Sequence, residues 1–193
     1  MKDGSESTRS HSHEVPEVVL CPDETGAALH LAQRTYERNR DRADFSYANK
    51  LETHQVGKLG EVGAEAWLRS HNIGVQPVFR DIDRENECDL LTDRFRIEVK
   101  TWSPRFWEPW GRCITPKQLP WITKKADLIL WTTADHSDSR GAIRIRGWNT
   151  PDEVGTFPPC NTGPDWKPVF NHQVPIDRVR DPATFLTILK ERP

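Results

Sequence analysis

The clearest periodic signal lies near the middle of the chain. Between Gly57 and about His71 (GKLGEVGAEAWLRSH), Leu59, Val62, Ala66 and Trp67 recur at helical spacing and form one apolar stripe, which predicts an amphipathic helix. Asn72-Ile73-Gly74 then supplies a C-cap. An earlier helix is predicted from Ala27 to about Asn39, carried by Leu29, Leu31 and Tyr36. The polar stretch 44–55 continues that helix or bridges to the next. Three short strands follow: Val75–Arg80, Glu87–Leu91 and Phe95–Thr101. In the third, Phe95, Ile97 and Val99 point one way while Arg94, Arg96, Glu98 and Lys100 point the other. A Thr92-Asp93 turn makes the second and third strands an antiparallel hairpin.

Further along, a short helix is predicted around Lys117–Lys125, and Ala126–Thr133 (ADLILWTT) reads as a strand buried on both faces. Ala142–Trp148 alternates as another strand, Val174–Val179 as a last short one, and Asp181-Pro182 opens a C-terminal helix. Residues 102–116, rich in Trp, Pro and Arg, and residues 149–172, rich in Pro, Gly and Asn, read as long loops. The order of helix, several strands, helix and strand predicts an α/β fold with a mixed β-sheet flanked by helices. It fits a single domain over residues 26–193, with a long loop at 149–173. Residues 1–25 form a disordered or extended leader, because the Ser-, Glu- and His-rich start carries few large apolar residues.

The overall charge of -2 does not by itself suggest a polyanion-binding protein. Its distribution changes that picture: Arg94–Lys125 holds eight Lys/Arg against two Asp/Glu, leaving the acidic surplus to the rest of the chain. The four cysteines, Cys21, Cys88, Cys113 and Cys160, are scattered without a C-x-x-C pair, so they lack the spacing of a structural zinc site. The chain shows no hydrophobic signal region and no apolar run of membrane length, and reads as cytoplasmic with free thiols. It lacks a G-x-x-x-x-G-K-[ST] phosphate loop, a G-x-S-x-G elbow and an H-E-x-x-H helix, which removes support for nucleotide, serine or zinc hydrolysis.

The chemistry-bearing pattern is Asp89, eight residues, then Glu98-Val99-Lys100. Residues two apart on a strand share a face, so Glu98 and Lys100 project together, and Asp89 can reach them from the partner strand. Two carboxylates meeting there repel each other, and a divalent cation with oxygen ligands relieves the cost; Mg²⁺ suits that role and Mn²⁺ also fits. On these residues the chain resembles the PD-(D/E)XK (restriction-endonuclease-like) nuclease superfamily. Cys88-Asp89 stands where the family name has Pro-Asp, and Gly57-Lys58-Leu59-Gly60-Glu61 matches the Gly-x-x-Gly-Glu helix that many members place before the sheet. The resemblance spans about Gly57 to Thr133. It implies a restriction-endonuclease-like core, metal ligation by Asp89, Glu98 and Glu61, and catalytic roles for these acids with Lys100. The basic or polar residue that the family carries after the E-x-K strand falls on Gln118 or Lys117. Glu65, one turn beyond Glu61, competes for the helix position.

The resemblance further implies Mg²⁺-dependent hydrolysis of DNA in a restriction, phage-defence, mobile-element or repair setting. Lys58, Arg80, Arg84, Arg105, Arg112, Lys117, Lys124 and Lys125 are the candidate phosphate contacts, with Arg96 beside them. Trp107 and Trp110, in the predicted loop, form the expected exposed aromatic pair, whereas Trp121 and Trp131 are expected in the core. Two alternatives stay open: a non-enzymatic module of the same fold that binds nucleic acid or a partner, and an RNA-directed nuclease. One active site cuts one strand, so double-strand cleavage implies a homodimer.

Overall fold

A computed structural model describes residues 15–39, 50–84, 87–138 and 140–191. The start of the predicted leader and the polar stretch 44–49 lie outside the described residues. In chain order the elements are β1 (Glu17–Val19), α1 (Pro22–Asn39), α2 (Leu51–Ser70), β2 (Gln76–Pro77), β3 (Leu90–Leu91), β4 (Arg96–Trp102), α3 (Pro104–Trp110), β5 (Cys113–Ile114), α4 (Leu119–Lys125), β6 (Leu128–Ala134), β7 (Ala142–Asn149), α5 (Pro151–Thr156), β8 (Pro159–Asn161), β9 (Phe170–Gln173) and α6 (Pro182–Lys190).

The fold is α/β, with a mixed six-stranded sheet in the order β1-β7-β6-β4-β3-β2. Among the described strands only β4 and β6 pair in parallel; Glu98 pairs with Ile129 and Lys100 with Trp131 in their register. The crossover between these two strands carries α3, β5 and α4. A small second sheet, β5-β9-β8, forms from segments that the composition assigns to loops.

Two cores sandwich the main sheet. On one side Leu59, Val62, Trp67 and Leu68 of α2 pack on Ile97, Val99, Leu128, Leu130, Ile143 and Ile145, with α1 and α6 completing the layer. On the other side Ile129 and Trp131 pack with Trp107, Ile114, Leu119, Ile122, Val154 and Val174. The alternation in β4 thus places Ile97 and Val99 under α2. Glu98 and Lys100, register partners of Ile129 and Trp131, take the opposite face.

Several elements differ from the sequence expectation. Residues 17–19 add an edge strand beside β7, and α1 begins at Pro22, so this part of the leader is structured. The segment 102–116 folds into α3 and β5, because Pro104 can start a helix at its first turn and Trp107 supplies a buried anchor. The segment 149–172 holds α5, which is closed by a Thr150/Glu153 capping box, followed by β8 and the start of β9. The predicted strand at Val174–Val179 is replaced by a 3-10 turn at Ile176–Arg178. Val75–Arg80 keeps only two strand residues before another 3-10 turn. Asn72 takes a left-handed φ of 60° beyond α2, with the Ile73 N–H bonded to the Leu68 carbonyl, so the helix stop falls where the Asn-Ile-Gly signal put it.

The two glycines on the inner side of α2 set how closely that helix approaches the sheet. A Cβ on Gly60 would lie 1.9 Å from Thr101 Oγ1 and 2.7 Å from Thr132 Oγ1, and one on Gly63 would lie 2.6 Å from Ile143. Gly57 has open space around its Cα hydrogens. Gly60→Ala is therefore expected to lower Tm by at least about 4 °C through overpacking. Gly57→Ala is expected to raise it by about 2–4 °C through helix propensity. Thermal melts of the two variants beside wild type check both signs.

Candidate functional site

β3 is only two residues long, and its pairing with β4 stops at Leu90↔Ile97. Asp89 sits where the two strands part. Its N–H donates to the Ile97 carbonyl, and its carboxylate accepts the Val99 N–H at 2.7 Å, replacing the main-chain acceptor of a continued strand. The carboxylate is thereby held in the gap between the strands. Glu98, on the adjoining β4, is 2% exposed, a burial that an ion tolerates only when it is compensated. Lys100 Nζ donates to Glu98 Oε1 at 2.7 Å, and Lys125 Nζ, from the end of α4, lies 2.7 Å from Glu98 Oε2. Each oxygen of this buried carboxylate is thus faced by one ammonium group. From α2, Glu61 Oε2 accepts from Lys58 Nζ at 2.6 Å, one helical turn away.

Glu61, Asp89, Glu98 and Lys100 are thus brought into mutual electrostatic range, with Lys58 and Lys125 added. Burial and then the charges of Glu98 and Glu61 push Asp89 up to about 8. Glu61 is also raised, because burial outweighs its pairing with Lys58. For Glu98, burial acts upward, but Lys100 and Lys125 together hold it below the usual carboxylate range. Burial opposes the charge on Lys100 and Lys58, yet the neighbouring acids prevail and both ammonium groups are strengthened. The cluster therefore contains three carboxylates that repel one another and three ammonium groups that offset them. As the side chains stand, no three acids, histidines or cysteines among the described residues close around one point that would cage an ion.

The carboxylates of Asp89, Glu98 and Glu61 are hard oxygen donors of the kind that suit Mg²⁺ or Mn²⁺. The repulsion from Glu98 and Glu61 that helps to raise Asp89 is a feature that a divalent cation would relieve. The residues present fit such an ion, provided the lysines yield some of their contacts. Asp89 and Lys58 also line a cleft of about 70 Å³ with Phe79, Arg84 and Cys88. Volume alone points elsewhere, to a cavity of about 440 Å³ between Trp67, Trp107, Arg146 and Arg180, but none of these acids lines it. Of the candidate acids, Asp89 lines the smaller cleft.

The other residues singled out in the sequence fall in varied places. Gln118 stands exposed at the N-cap of α4, and among the described residues no hydrogen bond or ion pair joins its side chain to the acids. Glu65 is buried and held by Arg80 and Arg69, so it serves as their counter-ion and not as a member of the cluster. Arg80 is correspondingly committed to Glu65, and Arg84 to Glu87. Arg112 is corrected from a phosphate contact to a buried structural group: it is 5% exposed and donates to the carbonyls of Val174, Trp107 and Glu108. Arg96 is paired with Asp127. Arg105, Lys117 and Lys124 are exposed, and Lys58 and Lys125 belong to the acid cluster itself. The aromatic expectation partly inverts: Trp107 is buried at 3% exposure, Trp121 is 44% exposed, and Trp110 and Trp131 are respectively exposed and buried as expected. All four cysteines are free.

Sequence reasoning missed the place of Lys125 in the site. The available signal was its position three residues before the strand that pairs with β4, which returns the end of α4 to the level of Glu98. The Lys58–Glu61 pair was legible as an i,i+3 spacing. No protein-family model, no curated protein and no solved structure matches the chain. Among the described residues no helix is long and apolar enough to cross a membrane.

The raised Asp89 has a thermodynamic consequence. Below pH about 4 this carboxyl is protonated both folded and unfolded and carries no penalty. Between that pH and about 8 the unfolded chain loses the proton while the folded one retains it, so stability falls as pH rises. In chelator, Asp89→Asn is expected to raise Tm at pH 8 by at least about 2–4 °C, with the gain shrinking towards zero near pH 4. Melts across that range check it, and a gain that grew towards low pH would contradict the sign.

Proposed function

We propose that this chain is a metal-dependent nuclease of the PD-(D/E)XK class that hydrolyses phosphodiester bonds in DNA. The observation that carries the reading is that Asp89 and Glu98 from adjacent strands come within electrostatic range of each other and of Glu61 from the preceding helix, beside the Lys100 amine. The order of helix, hairpin, alternating strand and parallel hydrophobic strand supports it, since it is the order in which the family's motif is arranged.

On this reading Asp89, Glu98 and Glu61 hold Mg²⁺ or Mn²⁺, and the bound ion supplies Lewis-acid polarisation of the scissile phosphate and acidification of the attacking water. The chain's own groups do the rest. Asp89 is aimed by the Val99 N–H, so its carboxylate needs little reorganisation to engage. Glu98 stays ionised because two ammonium groups face it. Lys100 orients the water for in-line attack on phosphorus and stabilises the charge that develops on the phosphoryl oxygens. Lys125 and Lys58 are placed to meet phosphate oxygens once their carboxylate partners are shared with the cation. Cleavage in this manner leaves a 5′-phosphate. A restriction, phage-defence, mobile-element or repair setting is part of the same proposal, as is a homodimer where both strands are cut.

The competing reading is a non-enzymatic module that binds nucleic acid. It rests on the same cluster, because Lys58 pairs with Glu61 while Lys100 and Lys125 pair with Glu98, a charge balance held by the chain's own groups. A cleavage assay on single-stranded and duplex DNA and on RNA separates the two. Wild type with Mg²⁺ or Mn²⁺ is expected to cut, and Asp89→Ala and Lys100→Ala to lower the rate by about 100- to 1000-fold. Cutting of RNA alone would redirect the substrate, and no cutting of any form would favour the binding module. Independently of turnover, saturating Mg²⁺ is expected to raise the wild-type Tm by several degrees through mass action, and to leave Asp89→Ala unmoved.

A further inference from the structure

The helix that carries Lys125 into the acid cluster presents an unexpected outer face. Leu119 and Ile122 of α4 are buried in the second core. The opposite side carries Gln118, Trp121 and Lys124, all exposed, with Lys117 just before them. Positions 117, 118, 121, 124 and 125 follow helical spacing, so they form one stripe. No acidic residue occurs between Thr115 and Ala126. The stripe is therefore cationic along its length, with one large aromatic ring set among the charges.

Trp121 is out of place as a core residue and well placed as a contact. It is 44% exposed, although two apolar neighbours on the same short helix are buried. Lys125 Nζ lies 4.3 Å from its ring centroid, and the same nitrogen lies 2.7 Å from Glu98 Oε2. A single ammonium group thus links the ring to the candidate catalytic acid. An ammonium held against the ring by cation–π attraction fixes the ring's position while leaving indole surface open to solvent. Anionic backbone suits the lysines, and a planar base suits the indole.

We propose that this outer face of α4 seats an unpaired stretch of DNA strand, with Trp121 stacking one base immediately beside the acid cluster. The inference rests on the nuclease reading for its orientation towards Glu98, and it adds the substrate form. In a continuous duplex the base faces are covered by their neighbours, so a ring this close to the scissile position can stack only on a base that is single-stranded, frayed or extruded. The lysines hold the phosphates without regard to sequence, and the indole selects for unpaired form. Trp121 is here a positioning and specificity residue, and the bond-breaking chemistry stays with the acids and Lys100.

The test uses the full chain in EDTA, which removes turnover, and reads fluorescence anisotropy of a short labelled oligodeoxythymidine and of a labelled hairpin duplex of matching length. Trp121→Ala is expected to weaken single-strand binding by about tenfold or more while leaving duplex binding unchanged. Trp121→Phe, which keeps an aromatic face, is expected to stay close to wild type on both. Unchanged single-strand binding by Trp121→Ala overturns the proposal. So does an equal loss on both probes, which a merely structural role would produce. Parallel cleavage reactions with Mg²⁺ or Mn²⁺ keep the two readings apart. Trp121-dependent single-strand binding without cleavage of any substrate upholds the stacking face and removes the nuclease. Cleavage of continuous duplex at equal rates by wild type and Trp121→Ala upholds the nuclease and removes the stacking face.

Discussion

The burial of Glu98 is the constraint on which the site is built. A carboxylate at 2% exposure must be compensated, and the compensation comes from two ammonium groups that arrive by different routes. Lys100 is supplied by the same strand two residues on, at a spacing that any β-strand provides. Lys125 is supplied by the crossover, whose length and helix position must return it to the level of Glu98. Removing one partner would leave a buried charge short of compensation, so strand, crossover and helix are coupled through a single side chain.

Around that pair, the early end of β3 opens the space in which Asp89 and Glu61 approach. A longer hairpin would have filled the gap with main-chain hydrogen bonds, and Asp89 would have pointed along one face of a closed sheet. Instead its carboxylate takes the bond that the missing strand residue would have made. The close seating of α2 through Gly60 and Gly63 brings Lys58 and Glu61 down to the same opening. Fold stability and site geometry are thus linked at the same residues. Small residues set the helix height, the height sets the reach of Glu61, and the repulsion among the acids is what a bound cation would relieve.

The site residues were legible because local rules govern them. Glu98 and Lys100 share a face by strand parity, Asp89 precedes the hairpin turn, and Lys58 and Glu61 are one helical turn apart. Trp107 and Arg112 were misread for a common reason: segment 102–116 looks like an irregular loop by composition, and only its folding into α3 and β5 decides which ring or guanidinium turns inward. Trp121 lies on the helix expected around Lys117–Lys125, and the seating of that helix through Leu119 and Ile122 turns its ring outward. Arg112 is enclosed by three main-chain carbonyls that no local pattern announces, and Trp107 is covered by residues distant in sequence. Glu65 and Arg80 lie fifteen residues apart, and only the turn after α2 joins them.

The amino-acid sequence by itself determined the α2 stripe and its stop near Asn72, the alternation of β4, the buried character of β6, and the Asp89, Glu98 and Lys100 pattern. Each of these follows from a period or a cap within about one turn or one hairpin. Tertiary structure alone decided the parallel pairing of β4 with β6, the second sheet, the depth of Glu98, the arrival of Lys125 and the outward turn of Trp121. Those features depend on contacts between segments far apart in the chain, and packing, unlike periodicity, leaves no local trace at either partner.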